Sequence, residues 1–338
     1  MKATMLYGAG DVRFEDVAEP VIQKPTDAII RLAASCVCGS DLWPYRGDQP
    51  VTAPQAMGHE YCGVVEAVGE AVTSVTPGQF VVGSFCLSDN TCPHCRHGFQ
   101  SSCENVEFMT GAQAPLARVP LADGTLVALD AHPDEDLIPG LLAASDVFGT
   151  GWYACDAAQV QPGSTVAVVG DGAVGLMAVL AAKQMGAGRI IAMSRHTSRQ
   201  DLALEFGATD IVAERGEEGI AKIRELTGNV GADAVMECVG TETSMNQAIY
   251  AARPGGHIGY VGVPHGVTFD GAQLFFAQRA MLGGPAPVRR FLPDLIDQVL
   301  SRKVDPGKVF DLDIPLADVA EGYRAMDERR AIKTLLRV

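Results

Sequence analysis

Positive charge is scarce in this chain. There are 26 Lys and Arg against 41 Asp and Glu, a net charge of −15. That deficit argues against a nucleic-acid surface, which needs clustered cations to meet phosphates. Long apolar runs are missing too. The best candidate, VAVVGDGAVGLMAVLAAKQMGA, is cut by Asp171 and Lys183, so no transmembrane helix is expected. The stretch MKATMLYGAGDVRFEDV carries Gly and acids where a secretory signal needs an apolar segment, and a cytoplasmic location is expected. Internal repeats and low-complexity tracts are also absent. What remains is a chain of 338 residues, 47% hydrophobic and 20% charged, enough for a large core shared between two domains.

Nine cysteines are an odd count. Cys92, Cys95 and Cys103 cluster within SDNTCPHCRHGFQSSC, and Cys36 and Cys38 precede Cys62. Such clustering suits metal binding in a reducing compartment better than disulfides. Three cysteines leave a closed zinc site one ligand short. The fourth is Asp89 or Cys86, or the lobe holds no metal.

The rhythm of the chain changes once. DAIIRLAASCV, HEYCGVVEAVG and GQFVVGSF read as strands broken by turns. LIPGLLAASDVFGTGWYACDAAQV is Ala-rich and helical in character. From STVAVVG onward, buried strands alternate with helices: AVGLMAVLAAKQMGA, RIIAMS, SRQDLALEFGA, TDIVA, EGIAKIRELTG, ADAVMECVG and GGHIGYVGV. That alternation predicts βαβ units and a parallel sheet. From about Arg289 the structure is mixed again.

GDGAVG, Gly170 to Gly175, fits G-x-G-x-x-G, and it follows a predicted buried strand and opens a predicted helix. Gly170 permits the turn and Gly172 lets backbone approach a pyrophosphate. Gly175 lets helix and strand pack closely, while Ala173 and Val174 begin the helix that faces the negative charge. About twenty residues on, an NAD site places an acid on the ribose. Here Ser194, Arg195 and His196 stand there, followed by Arg199. Ser and Arg suit a 2′-phosphate, so NADP(H) is expected over NAD(H).

Cys38 in CVCGSDLW, His59 and Glu60 in MGHEYCG, and Asp146 in ASDVFGTGW form a mixed set with room for an exchangeable ligand. That is the composition of a catalytic zinc rather than a structural one.

Taken in order, CGSD, GHE, the cysteine lobe, SDVFGTG, GDGAVG and the closing AIKTLL resemble the zinc-dependent alcohol dehydrogenases of the medium-chain dehydrogenase/reductase superfamily. The resemblance covers nearly the whole chain. It implies an α/β protein with a GroES-like β-barrel catalytic domain over 1–150 and 289–338, carrying a zinc lobe at about 86–103. A Rossmann domain, a doubly wound parallel sheet over 151–288, is implied to bind NADP(H). It further implies Cys38, His59 and Asp146 as zinc ligands, and Glu60 as a transient one. Asp41 is implied to orient His59, Ser40 to take the substrate proton, and Thr150 to sit near the nicotinamide. Val239, Gly262 and Val263 are implied at the cofactor, and Lys333 at its pyrophosphate. In this family zinc polarises the substrate oxygen while hydride passes between substrate and nicotinamide.

Two positions depart from the family pattern. Trp43 stands where a proton-relaying His is common, and Trp cannot relay a proton. Trp43 is read as a pocket wall or as a core aromatic. In the lobe, Asp89 occupies the first position of a C-x2-C-x2-C-x7-C run, and the expected structural zinc set is Asp89, Cys92, Cys95 and Cys103. The resemblance implies a homo-dimer or homo-tetramer, often built through the Rossmann edge near Gly262 to Phe276. The expected substrates are small alcohols and their aldehydes or ketones. Phe85, Trp152 and Leu282 join Trp43 as guesses for an apolar pocket. The rivals are a zinc-independent quinone or enone reductase and a non-catalytic NADPH-binding sensor.

Overall fold

The computed structural model describes residues 1–269 and 271–338. Asp270, within the expected oligomer edge, lies outside the described residues. The chain divides into two compact units, Met1–Asp146 with Pro287–Val338, and Val147–Ala286. These limits fall slightly before the composition shifts in the sequence.

The first unit is built on strand Ala28–Val37, an apolar run buried on both faces except at Arg31 and Ala33. One edge pairs antiparallel with Tyr61–Val68, which in turn pairs with Phe80–Gly83 and then Leu126–Ala128. The other edge is shared. Its first half, Ala28–Arg31, pairs with Leu116–Val119, and its last residues, Ser35–Val37, pair with the C-terminal strand Lys333–Arg337. The sheet thus ends its central strand beside a segment distant in sequence, and that is where Cys38 emerges. Strand contact here is close enough to demand glycine: a Cβ on Gly63 would lie 2.1 Å from the Arg31 carbonyl oxygen. Ile30, Leu32, Tyr61, Val65, Val81 and Leu126 fill the barrel core.

The second unit is a six-stranded sheet in the order Asp210–Val212, Arg189–Met193, Thr165–Val169, Ala232–Glu237, Ala252–Tyr260, Ala280–Gly283. All five pairings are parallel. Strand order reverses between Thr165–Val169 and Ala232–Glu237. In such sheets ligands bind beyond the carboxyl ends of the strands at that switch point. The continuously apolar runs read as strands are buried on both faces, as a parallel sheet requires. The sixth strand and the helix Glu242–Ala251 were not read from the sequence.

Among the described residues no helix is long and apolar enough to cross a membrane.

Candidate active site

Cys38 is the first residue past the central strand. Its amide donates to Asp41 Oδ2 at 3.0 Å, which pins the short turn Gly39–Asp41 beneath it. His59 follows Gly58, whose φ of +94° and close approach exclude a side chain: a Cβ there would lie 2.5 Å from the Gln113 amide nitrogen. Asp146 sits at a break. The Ala-rich segment folds as two helices, Ile138–Ala144 and Val147–Ala157, rather than one, and Asp146 occupies the corner between them.

The ligand atoms of Cys38, His59, Glu60 and Asp146 all lie within 4.8 Å of one another. His59 Nε2 is 3.3 Å from Asp146 Oδ2, and Cys38 Sγ is 3.7 Å from the same carboxylate. Asp41 Oδ1 stands 3.4 Å from His59 Nδ1 and so orients the ring from behind. Ser40 Oγ is 3.4 Å from His59 Nε2. The electrostatics fit a cation. Burial pushes the Cys38 thiol up, and nearby Glu60 pushes it further. Burial lowers His59, but the Cys38, Asp41 and Asp146 charges outweigh it and raise His59 well above its ordinary value. A divalent ion of Lewis-acid character would relieve that crowding. The donor set of one thiolate, one imidazole and carboxylates is one zinc accepts.

Glu60 faces two ways. Its Oε1 accepts from Lys333 Nζ at 2.6 Å, while its buried Oε2 has no hydrogen-bond partner among the described residues. Lys333, which the resemblance implies at the cofactor pyrophosphate, is 0% exposed, and Nζ also donates to the Val37 carbonyl at 3.3 Å. Desolvating an ammonium this fully requires a paired anion, and Glu60 is that anion.

One layer further out is a residue the sequence reading missed. Gln113 is fully buried. Its Nε2 donates to the Cys36 carbonyl at 3.0 Å and to Asp41 Oδ2 at 3.3 Å, while its Oε1 accepts from Tyr323 at 3.2 Å. No local spacing announces it.

The lobe is closed at its base by the antiparallel pair Cys86–Leu87 and Glu107–Phe108. Asp89, Cys92, Cys95 and Cys103 form the second cluster with ligand atoms within 4.8 Å. The Cys92 sulfur lies 3.5 Å from that of Cys95 and 3.9 Å from that of Cys103, and all three cysteines are free thiols. Burial and the neighbouring Cys92 and Cys103 thiols push Cys95 up. Asp89 Oδ1 accepts the Thr91 and Cys92 amides at 2.7 and 2.9 Å, and Oδ2 accepts from Asn105 at 2.8 Å. Burial would raise its carboxyl, but those donors outweigh burial and hold it well below the usual range. Cys86 is fully buried on its strand and packs as a small hydrophobe.

In the second unit, Gly170 has φ +123°, and a Cβ on Gly175 would lie 2.0 Å from the Gly170 carbonyl oxygen. A Cβ on Gly172 would meet nothing within 4 Å, so backbone is open to a ligand there. Ala173 begins the helix Ala173–Gln184, and Val174 follows. Val239 and Val263 are exposed, and Gly262 packs against the Gly240 amide. Thr150 is buried on its helix. Arg195 is exposed, whereas Ser194 and Arg199 are buried. No acid stands at the end of the second strand, but one reaches it: Ser194 Oγ donates to Asp171 Oδ2 at 2.8 Å, and Arg199 Nη1 lies 3.5 Å from Asp171 Oδ1. The acid comes from the glycine loop, not from the end of the second strand. Of the guessed pocket residues, Trp43 and Phe85 belong to the first unit, where Phe85 packs edge-on against His59. Trp152 and Leu282 belong to the second.

Residues 24–131 match the family model for the alcohol dehydrogenase GroES-like domain, and residues 173–299 match that for zinc-binding dehydrogenases. A protein of Mycobacterium tuberculosis described as a "probable zinc-binding alcohol dehydrogenase" is 34% identical over 331 residues, covering 96% of this chain and 84% of that protein. The chain belongs to the zinc-dependent alcohol dehydrogenases of the medium-chain dehydrogenase/reductase superfamily. Zinc-type alcohol dehydrogenase B of Aspergillus flavus is 31% identical, covering 100% of this chain and 81% of that one. The alcohol dehydrogenase TADH of Thermus sp. ATN1 superposes with a TM-score of 0.91 at 32% identity, covering 100% of both chains. This family member is therefore an oxidoreductase that uses zinc and a nicotinamide cofactor, on a GroES-like domain joined to a Rossmann domain.

Proposed function

We propose that this chain transfers hydride between NADP(H) and a small alcohol/carbonyl pair, with its catalytic zinc on Cys38, His59 and Asp146. The observation that carries this reading is the convergence of those three ligands and Glu60 within 4.8 Å, from segments far apart in sequence. Zinc bound there would act as a Lewis acid on the substrate oxygen. The chain's own residues do the rest. Asp41 fixes the ring of His59, and Lys333 anchors Glu60 by a hydrogen bond inside the protein. Ser40 places a hydroxyl beside the cluster to take the substrate proton. Thr150 lies near the nicotinamide and the GDGAVG loop takes the pyrophosphate. The exposed Arg195 supplies donors for a 2′-phosphate, which supports NADP(H). Asp89, Cys92, Cys95 and Cys103 hold a second, structural zinc.

The protein acts in the cytoplasm as a homo-dimer or homo-tetramer. The edge strand Ala280–Gly283, with exposed Phe275 and Phe276 before it, supports self-association.

The test is oxidation of NADPH, with NADH in parallel, across a panel of aldehydes and ketones, using Cys38→Ala as the control. Turnover that prefers NADPH and vanishes in Cys38→Ala is expected. Turnover that survives Cys38→Ala would point to a zinc-independent reductase, and cofactor binding without turnover to a sensor.

A further inference from the structure

The glycine loop carries a charge where this fold needs none. Asp171 stands between Gly170, which makes the turn, and Gly172, whose backbone is open to a ligand. Its side chain reaches the end of the next strand. There Ser194 Oγ donates to Oδ2 at 2.8 Å. Arg199 Nη1 donates to the Asp171 carbonyl at 3.2 Å and lies 3.5 Å from Oδ1. Both Asp171 and Arg199 side chains are 11% exposed, so water screens the pair only partly. In a sheet of this strand order the adenosine ribose lies over the end of the second strand, which here is Ser194. The donors nearest the ribose 2′ position are therefore already bound to a carboxylate.

We propose that Asp171 is a specificity-determining residue that opposes the 2′-phosphate of NADP(H) by occupying Ser194 and Arg199. This rests on the reading of the second unit as a nicotinamide-cofactor site. A phosphate monoester carries a charge of about −1.5 to −2 at pH 7. It must displace the carboxylate or share the site with it, and like charges in a poorly hydrated pocket repel strongly. A ribose hydroxyl meets no such repulsion. Arg195, exposed at the rim, pulls the other way, and the preference of the protein is the balance of the two.

The experiment uses the full-length protein and two adenosine fragments that differ only by the 2′-phosphate, 2′,5′-ADP and 5′-AMP. Their affinities are measured by calorimetry for the parent chain, Asp171→Asn and Asp171→Ser. Both variants are expected to bind 2′,5′-ADP about tenfold more tightly or better, with 5′-AMP within about threefold of the parent. Adding Arg199→Gln to Asp171→Asn should abolish the gain, because the guanidinium that no longer faces a carboxylate is what meets the phosphate. Unchanged or weaker 2′,5′-ADP binding in both variants, or equal tightening of both fragments, would overturn the proposal. The preference of the parent for NADPH or NADH is a separate outcome. A parent that prefers NADH removes the NADP(H) reading, yet leaves the effect of Asp171 to be decided by the variants.

Discussion

The two ligand clusters of the first unit are built on opposite plans. The lobe draws Asp89, Cys92, Cys95 and Cys103 from a single short stretch, and tight turns alone set their spacing. Its carboxylate doubles as a turn cap, holding the Thr91 and Cys92 amides. The other cluster draws on residues 38, 59, 60 and 146, and only the sheet brings them together. It is backed by a buried layer of Asp41, Gln113, Tyr323 and Lys333. A local cluster can be rigid without neighbours, whereas a dispersed one needs supports. In exchange it obtains burial, a mixed donor set and a flanking hydroxyl, which are what catalysis requires.

If the contrast is sound, His59→Ala should cost the most. Turnover should fall about a thousandfold or more, while zinc analysis still finds the lobe metal in place. Loss of both metals together would mean that the clusters are not independent.

Asp89→Asn comes next. It keeps an acceptor for the turn but removes the ligand charge, so zinc release to a chelator should quicken on the order of a hundredfold. Asp89→Cys should slow release relative to the parent. Turnover at saturating zinc should change little in either variant.

Gln113→Met tests whether the buried layer matters. Zinc affinity of the Cys38 cluster should fall about tenfold, with the lobe unaffected. Tyr323→Phe, which removes only the hydroxyl that donates to Gln113, should move the same quantity less.

Asp27 calibrates an ordinary buried carboxylate in the same unit. Burial alone would raise it, but the Arg118 guanidinium at 2.7 Å and the Lys24 and Gln23 amides outweigh burial and lower it below its ordinary 3.8. Its folded pKa is depressed. The stabilisation is therefore present at neutral pH and lost as pH falls below about 4, through the folded value. Asp27→Asn should destabilise the fold by about 2 kcal/mol at pH 7 and flatten that part of the acid-unfolding curve, as read by denaturant midpoints against pH.

The same contrast explains what was legible. The parallel strands announced themselves because burial on both faces leaves continuous apolar runs such as VAVV and IIAM. The lobe was legible because its ligands are neighbours in sequence. Cys38, His59 and Asp146 gained meaning from ordered resemblance, since spacing carries no signal across more than a hundred residues. The rest was hidden for physical reasons. Sequence does not show that Glu60 lies 2.6 Å from Lys333, so that buried ion pair had no signal. Asp171 read only as an interruption of an apolar run, because its partners arrive one βαβ turn later. Gln113 lies in a loop with no periodic signal, and only the fold places it behind Asp41. The edge strand Ala280–Gly283 is half-exposed and short, so no buried run marked it.

The dispersed, buried cluster is the proposed catalytic metal centre. The most direct test follows carbonyl reduction against zinc content as a chelator strips the protein and zinc is then restored. Activity is predicted to fall with loss of the zinc held by Cys38, His59 and Asp146, and to return when that site refills. Undiminished turnover in protein shown to be free of zinc would contradict it.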